Sequence, residues 1–360
     1  MSSLFEPWSS RSLTVPNRVW MAPMCQYSAD TSGPDVGAAN DWHLTHYPTR
    51  AVGGAGLVLL EATAVSPEGR ISHADLGIWN ERQRAALTRV AGAVRARGAV
   101  VGVQLAHAGR KASTRVPWEG GGPLGAAERP WTPLGPSPVP FADGYPVPHE
   151  LTEAEIGEVV EQFAAAARRA LAAGFQVVEV HGAHGYLLGE FLSPHSNRRT
   201  DRYGGDFAGR ARLALEVVDA VRAVWPDELP LFFRVSATDW LPEHGWTPDD
   251  TVRLAGELLA RGVDLLDVSS GGNAAGVTVP TGPGYQVPFA ARVRAETELP
   301  VAAVGLITEP EQAAKILEAG EADAVLLGRA LLREPYWPQR AARQLGAAQA
   351  PVPPQYLRAH

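Results

Sequence analysis

A chain of 360 residues that is 45% hydrophobic and 20% charged can bury a large core, in one large domain or in two ordinary ones. Its net charge of −7 argues against a nucleic-acid-binding protein, which needs a basic surface. Cys25 is the only cysteine, so the chain can form neither an internal disulfide nor a cysteine-ligated iron–sulfur cluster.

No stretch of the sequence has the features of a secretion signal or a membrane span. The first residues lack the basic and apolar regions of a signal peptide, and no apolar run reaches the roughly 18 residues that a transmembrane helix needs. We therefore expect a cytoplasmic protein without a membrane partner.

Short runs rich in β-branched residues alternate with amphipathic helical stretches along the chain. The predicted strands are residues 19–21, 57–60, 100–105, 177–180, 231–235, 265–268, 301–304 and 324–327. The predicted helices are residues 42–52, 81–97, 153–173, 207–224, 248–261, 288–296, 309–318 and 335–345. This alternation is typical of an α/β protein whose parallel sheet closes into a (β/α)8 (TIM) barrel, here a single domain over residues 1–345.

Several predicted helices have recognisable ends. Thr152 and Glu155 have the spacing of a capping box, and Pro248 occupies the first position of its helix. Gly174, Gly262 and Gly320 fall where a left-handed residue is expected to end a helix.

The longest interruption is the segment 113–150, which is rich in glycine and proline and lies between the third strand and its helix. A long loop in this position commonly forms a lid or wall of the active site. Gly120, Gly122 and Gly125 spell a G-x-G-x-x-G pattern, but Pro123 lies inside it and no strand precedes it, so we reject a dinucleotide-binding loop. Residues 346–360 form an Ala/Pro-rich tail.

The most informative residues are His181, His184 and Tyr186, which directly follow the predicted strand 177–180. In a barrel the carboxyl ends of the strands build the active site. Two imidazoles can hold an oxygen that becomes negative, and a phenol can donate a proton. The histidines could instead bind zinc, although no third ligand is obvious, or they could be structural.

Several longer motifs resemble the Old Yellow Enzyme family of FMN-dependent ene-reductases, and their spacing matches over essentially the whole chain. They are Pro23-Met24-Cys25-Gln26-Tyr27, Gln104-Leu105-Ala106-His107-Ala108-Gly109-Arg110-Lys111, His181-Gly182-Ala183-His184-Gly185-Tyr186, Phe191-Leu192-Ser193-Pro194, Asn197-Arg198-Arg199-Thr200-Asp201-Arg202-Tyr203-Gly204-Gly205 and Leu327-Gly328-Arg329-Ala330-Leu331-Leu332. Cys25 and the closing Gln355-Tyr356-x-Arg358 resemble the thermophilic-like class of that family.

The resemblance implies a (β/α)8 barrel that binds FMN without a covalent bond. Gln104 would bond the pyrimidine edge of the flavin, and Ala22, Pro23, Met24 and Ala62 would frame the ring. Cys25 would tune the redox potential, although a lone cysteine is more often an inert small hydrophobe.

The chemistry of a flavin assigns further residues. Barrels commonly bind phosphate between the loops after strands seven and eight, which here contain Gly305, Gly328 and Arg329. Arg234 lies in an otherwise apolar strand and needs an anionic partner, for which the reduced flavin edge is suitable.

The resemblance also implies a reaction. NADPH or NADH would reduce FMN, and an α,β-unsaturated carbonyl or nitro compound would then be reduced at the same site, in a ping-pong scheme. His181, His184 and Tyr27 would contact the substrate, and Tyr186 would supply the proton. The alternatives are a zinc-dependent hydrolase and a non-catalytic flavin-binding protein.

The tail carries a prediction about assembly. In the thermophilic-like class a carboxy-terminal arginine reaches the active site of a neighbouring subunit, and Arg358 has the matching position. We therefore expect a homodimer or a dimer of dimers. His360 departs from the aromatic residue that often ends this class.

Overall fold

The computed structural model describes residues 3–347 and 352–359. Eight parallel strands close into one barrel in sequence order, and a helix lies between each strand and the next. The barrel strands are β1 (Val19–Met21), β2 (Leu57–Ala64), β3 (Val100–Ala106), β4 (Val177–Gly182), β5 (Leu231–Ser236), β6 (Leu265–Ser269), β7 (Val301–Ala303) and β8 (Ala324–Leu327). The main helices are α1 (Asp41–Val52), α2 (Glu81–Arg95), α3 (Glu153–Ala173), α4 (Phe207–Arg222), α5 (Pro248–Ala260), α6 (Val287–Glu296), α7 (Pro310–Glu318) and α8 (Trp337–Gln344). The predicted (β/α)8 barrel is confirmed.

The predicted helix ends are confirmed as well. The Thr152 side chain accepts a hydrogen bond from the Glu155 backbone, and Pro248 opens α5. Gly174, Gly262 and Gly320 all have a left-handed backbone just after their helices. These ends fix where each helix turns back toward the next strand.

Some short elements are absent from the sequence prediction. They are the antiparallel strands Trp8–Ser10 and Leu13–Val15, the parallel pair Leu134–Gly135 and His149–Glu150, and the short helices Leu187–Leu192 and Arg329–Arg333. Trp8 packs edge-on against Trp20 and Phe232, with ring centres 5.2 and 5.8 Å away. The first pair of strands therefore closes the amino-terminal end of the barrel.

The barrel interior changes from apolar to polar along its axis. Side chains of a strand alternate between the two faces of the sheet, so Val177, Glu179 and His181 of β4 all point into the barrel. Val177 belongs to an apolar cluster with Trp20 and Phe232. Glu179 lies in a polar layer beyond that cluster, and His181 lies at the carboxyl-terminal rim.

The segment 113–150 is fastened to the rim of the barrel. Arg110 donates to Asn273 O at 2.6 Å and to Val139 O at 3.2 Å. Arg199 donates to Pro136 O at 3.0 Å. These contacts place the insertion at the end of the barrel where the predicted site lies.

The described part of the tail lies at the opposite end. Val352–Tyr356 line a groove of about 840 Å³ together with Asn17 and Ala55, which precede β1 and β2. The Tyr356 ring lies 6.0 Å from that of Tyr336. His360 lies outside the described residues. No helix within the described ranges is long and apolar enough to span a bilayer.

Candidate active site

The loop after β4 brings the two histidines and the tyrosine together. The ring centre of His181 lies 5.2 Å from that of His184 and 5.2 Å from that of Tyr186. His184 has a left-handed backbone (φ 60°), and its N–H donates to Ser236 Oγ at 2.9 Å. This turn makes the three rings neighbours, as the sequence predicts.

Both imidazoles are neutral. Burial first, and then the Arg234 charge, lower the pKa of His181 and of His184 well below the ordinary value. The Ala183 N–H donates to His181 Nδ1 at 3.3 Å, which leaves the ring proton on Nε2. His184 Nε2 lies 2.7 Å from Ser269 Oγ, and Ser269 Oγ also lies 3.4 Å from Gln286 Oε1. When the Ser269 hydroxyl donates to His184, the ring proton lies on Nδ1 and each ring has one N–H free to donate.

Lys111 is not among the predicted site residues, yet it fastens this loop. Its Nζ donates to His184 O at 2.8 Å and to Gly272 O at 2.9 Å. The same Nζ lies 4.9 Å from the centre of the Tyr186 ring and 4.7 Å from that of Phe141. The sequence marks Lys111 as unusual, because only Lys111 and Lys315 are lysines among the 32 basic residues of the chain.

Cys25 and Tyr27 lie on a segment that a buried glutamate, Glu61, holds in place. The Gln26 N–H donates to Glu61 Oε2 at 2.7 Å, and the Tyr47 hydroxyl donates to Glu61 Oε1 at 2.7 Å. The Tyr27 side chain lies beside the Cys25 thiol, and each group affects the pKa of the other. Glu61 therefore positions the segment that carries both predicted residues.

The polar layer inside the barrel contains Gln104 and Arg234. Gln104 donates to Glu179 Oε1 at 2.7 Å. Arg234 Nε lies 2.9 Å from Asp267 Oδ2, which is an ion-pair distance without the alignment of a hydrogen bond. The protein itself thus supplies an anion for Arg234. Burial, and then the Asp267 charge, raise the pKa of Glu179 to about 8, so Glu179 is protonated at neutral pH and the layer holds one balanced ion pair.

The predicted phosphate-binding residues lie side by side, because β7 and β8 are neighbours in the barrel. Gly305 has φ 122°, and a Cβ there would lie 2.8 Å from Gln286 Nε2. A Cβ on Gly328 would lie 3.5 Å from Met24 Sδ. The Arg329 side chain is exposed, and nothing in the described part of the chain engages it in a hydrogen bond or ion pair.

The predicted flavin frame occupies neighbouring strand ends. Ala22 and Pro23 are buried directly after β1, and the Ala22 N–H donates to Leu327 O at 3.1 Å. Ala62 of β2 is paired with Gln104 of β3. The structure therefore gathers the predicted residues at one rim, with the exception of Arg358, which is exposed on the tail.

The zinc interpretation lacks a donor set. Across residues 3–347 and 352–359, no three His, Cys, Asp or Glu side chains lie close enough to share a metal ion. His181 and His184 thus have no third ligand of those types within these ranges, whereas catalytic zinc usually takes three protein ligands.

Comparison with known proteins identifies the family. The sequence profile of the NADH:flavin oxidoreductase / NADH oxidase family matches residues 3–347. The chain belongs to this family. It is 48% identical over 350 residues to an NADPH dehydrogenase of Geobacillus thermodenitrificans. This alignment covers 97% of this chain and 96% of the relative. It is 45% identical over 359 residues to an NADPH dehydrogenase of Listeria innocua, with 100% and 99% covered.

Solved structures agree with this assignment. Morphinone reductase superposes with a TM-score of 0.78 at 32% identity, and the match covers 98% of this chain and 92% of that one. Morphinone reductase in complex with tetrahydroNAD gives a TM-score of 0.77 at 33% identity, covering 98% and 93%. The resemblance to Old Yellow Enzyme is thereby confirmed. The chain is an oxidoreductase that uses FMN and a nicotinamide hydride donor.

The residues at the rim fit FMN. Gly305 and Gly328 leave room that a side chain would fill, next to the Arg329 guanidinium, which has no hydrogen-bond or ion-pair partner within the described ranges. Arg234 Nε and both carboxylate oxygens of Asp267 are buried without aligned hydrogen-bond partners in the described chain. Buried polar groups usually have such partners, and the polar edge of a flavin offers donors and acceptors.

The environment of Cys25 predicts a slow reaction with alkylating agents. Burial first, and then the Asp75 and Glu61 charges, raise the pKa of the Cys25 thiol well above its usual value. Since the thiolate is the nucleophile, iodoacetamide should alkylate the folded holoenzyme at pH 8 at least about tenfold more slowly than a free cysteine. Intact mass spectrometry would measure this, and the rate should still rise above pH 9.

The control is the same protein unfolded in guanidinium chloride, in which Cys25 should react at the rate of an unperturbed thiol. Because the chain has one cysteine, each addition of mass reports on this site alone. Equal rates for the folded and unfolded protein at pH 8 would contradict the prediction.

Proposed function

We propose that this enzyme reduces the activated C=C bond of α,β-unsaturated carbonyl or nitro compounds. NAD(P)H and the alkene bind in turn at one site, so the scheme is ping-pong. The observation that carries the proposal is the meeting of two neutral imidazoles and one phenol, His181, His184 and Tyr186, at the end of β4. When bound, FMN supplies the hydride chemistry, accepting a hydride from the nicotinamide and passing it to the β-carbon of the alkene.

The cofactor would be held by the residues gathered at the rim. Gly305, Gly328 and Arg329 provide close backbone approach and a charge for the phosphate. Gln104 and Arg234 offer polar groups for the pyrimidine edge. The ring would be enclosed by the backbones of Ala22, Pro23, Met24 and Ala62, and Cys25 would lie beside it.

The histidines polarise the substrate. His181 Nε2–H and His184 Nδ1–H donate to the carbonyl or nitro oxygen, where negative charge develops as the β-carbon gains a hydride. Neutral rings suit this role because contacts with Ala183 and Ser269 hold both rings in place before the substrate arrives. Tyr27 contacts the substrate from the Cys25 side.

Tyr186 donates a proton to the α-carbon. Burial raises the pKa of its phenol well above 10, so the group is protonated throughout the physiological range. The Lys111 ammonium, 4.9 Å from the Tyr186 ring, lowers the cost of the phenolate that remains after the proton leaves.

The direct test follows the colour of the holoenzyme. The purified protein should be yellow, NADPH should bleach its visible absorbance without oxygen, and 2-cyclohexenone should restore that absorbance. A yellow protein that NADPH does not bleach would be a flavin-binding protein without this activity. Bleaching without recovery on cyclohexenone would refute alkene reduction while leaving flavin reduction intact.

Tyr186→Phe should separate the two half-reactions. Reduction by NADPH should stay within about twofold of the wild type, because no proton from Tyr186 enters it, whereas enone reduction should slow by about 10²- to 10⁴-fold. The rate of nitroalkene reduction should fall less, because the nitronate product is stable without immediate protonation. Stopped-flow absorbance would measure both steps.

Tyr203→Phe is the matched control, since the Tyr203 hydroxyl is bonded to Glu216 and Arg202, neither of which is assigned to the site, and its loss should change neither rate. Equal slowing of both half-reactions by Tyr186→Phe would point to a structural role for Tyr186 and against proton donation.

The tail completes the site of a neighbouring subunit in a homodimer or a dimer of dimers. Its described part packs at the amino-terminal end of its own barrel, so Arg358 does not line the site of its own chain. Leu357 is 61% exposed and Arg358 is exposed beside it, and these side chains suit a contact with another subunit.

Deleting residues 355–360 should raise the KM for cyclohexenone about tenfold or more, as expected for the loss of a charged hydrogen-bonding group. It should also lower the mass measured by light scattering and leave FMN bound. Arg358→Ala should raise KM alone, and Arg89→Ala on the exposed face of α2 should change neither quantity. Unchanged KM and mass after the deletion would refute the shared site.

A further inference from the structure

The first part of the insertion forms a hairpin over residues 113–124. The Leu124 N–H donates to Ser113 O at 2.9 Å, and the Arg115 N–H donates to Gly122 O at 2.9 Å. The side chain of Arg115 adds a hydrogen bond from Nε to Glu128 Oε1 at 2.8 Å. The base of this hairpin is therefore well fixed to the rest of the insertion.

The tip of the hairpin is held much less tightly. It consists of the turn Pro117–Glu119 followed by Gly120, Gly121 and Gly122, all with left-handed φ values (94°, 60° and 72°). A Cβ on any of the three glycines would meet nothing within 4 Å. The glycines serve the backbone turn, and no packing around them sets the position of the tip.

Trp118 occupies this tip and is unusually exposed. Its side chain is 66% exposed, the largest value for a large apolar side chain in the described ranges. Its one ring contact there is with Tyr27, edge to face, with centres 6.0 Å apart and planes at 79°. An indole with so much free surface beside a candidate substrate residue has room to pack against a further ring.

Tyr27 gives Trp118 a rigid neighbour. Tyr27 has a left-handed backbone (φ 49°), and the preceding Gln26 N–H is bonded to Glu61. The Tyr27 side chain lies beside Cys25, the residue expected next to the flavin. Trp118 therefore extends the Cys25 side of the site outward, beyond the atoms that react.

We propose that Trp118 is a specificity-determining residue, whose indole forms with Tyr27 the outer aromatic wall of the substrate pocket. This wall favours alkenes that carry a flat ring on the β-carbon over alkenes that carry a small alkyl group there. The inference rests on the proposed alkene reduction for its substrates. Because the contact lies away from the reacting bond, it binds the ground state and the transition state alike and acts on KM and not on kcat.

The test compares substrates that differ only in this ring. Cinnamaldehyde and crotonaldehyde share an unsaturated aldehyde and carry a phenyl or a methyl group on the β-carbon. Trp118→Ala should raise the KM for cinnamaldehyde about 3- to 10-fold, the size of one aromatic contact, with kcat unchanged and crotonaldehyde within about twofold. Trp118→Phe should lie between the wild type and the alanine variant.

Equilibrium binding provides a readout that needs no turnover. The oxidised holoenzyme is titrated with 4-phenylphenol and with phenol, followed by the visible absorbance of the flavin. Trp118→Ala should raise the Kd for 4-phenylphenol by the same 3- to 10-fold and leave the Kd for phenol unchanged. Trp42→Ala removes another exposed tryptophan, stacked on His46, and should alter neither pair of ligands.

The outcomes separate this inference from the proposed function. Wild-type enzyme that reduces neither aldehyde refutes alkene reduction, and the phenol pair then decides the role of Trp118. The inference is overturned if Trp118→Ala leaves unchanged both the ratio of KM values for cinnamaldehyde and crotonaldehyde and the ratio of Kd values for 4-phenylphenol and phenol. Equal losses for both members of each pair also overturn it, because they indicate a general disturbance of the site.

Discussion

The closure of the barrel is the constraint on which the rest of the structure depends. Strand β8 pairs with β1 through Leu326 and Trp20 and through Leu327 and Met21, so the last strand meets the first. Since all eight strands are parallel, their carboxyl ends form one ring. Residues far apart in sequence thereby become neighbours: Cys25 follows β1, His181 ends β4 and Arg329 follows β8.

Within that ring the protein keeps most titratable groups neutral and concentrates charge at a few points. His181 and His184 are unprotonated, whereas Cys25 and Tyr186 retain their protons. Such neutral donors need no charged partner, and in a buried site their hydrogen bonds are stronger than in water. The charged groups are Lys111 and Arg329 at the rim and, below it, Arg234, which lies against Asp267. The site has little negative charge of its own, and its hydrogen-bond donors can stabilise negative charge that develops on a bound molecule.

The sequence predicts the barrel well because its signals are local. Alternating strands and helices, the capping box at Thr152 and the glycine after α3 each depend on a few neighbouring residues. The sequence does not predict the hairpin before β1 because Trp8–Ser10 contains no β-branched residue, unlike the predicted three-residue strand 19–21. Trp8 is buried because it packs against Trp20 and Phe232, which lie on strands distant in sequence.

The candidate site divides in the same way. His181, His184 and Tyr186 follow one strand and share one motif, so they could be found together. Glu61, Asp267 and Lys111 act through partners far away in sequence: Gln26, Arg234 and the carbonyl of His184. The sequence shows that these residues are unusual, because Glu61 and Asp267 are acids in apolar strands and Lys111 is a lysine in a chain that otherwise uses arginine. It does not show their partners, which become neighbours only when the barrel closes.

The near absence of lysine has a practical consequence for attaching this enzyme to a surface. Lys111 is enclosed by two backbone carbonyls and two aromatic rings, whereas Lys315 is exposed on α7. A reagent that acylates side-chain amines therefore has one accessible lysine in the whole chain. Coupling through that lysine would hold every immobilised molecule by the same helix and in the same orientation, without any engineered tag.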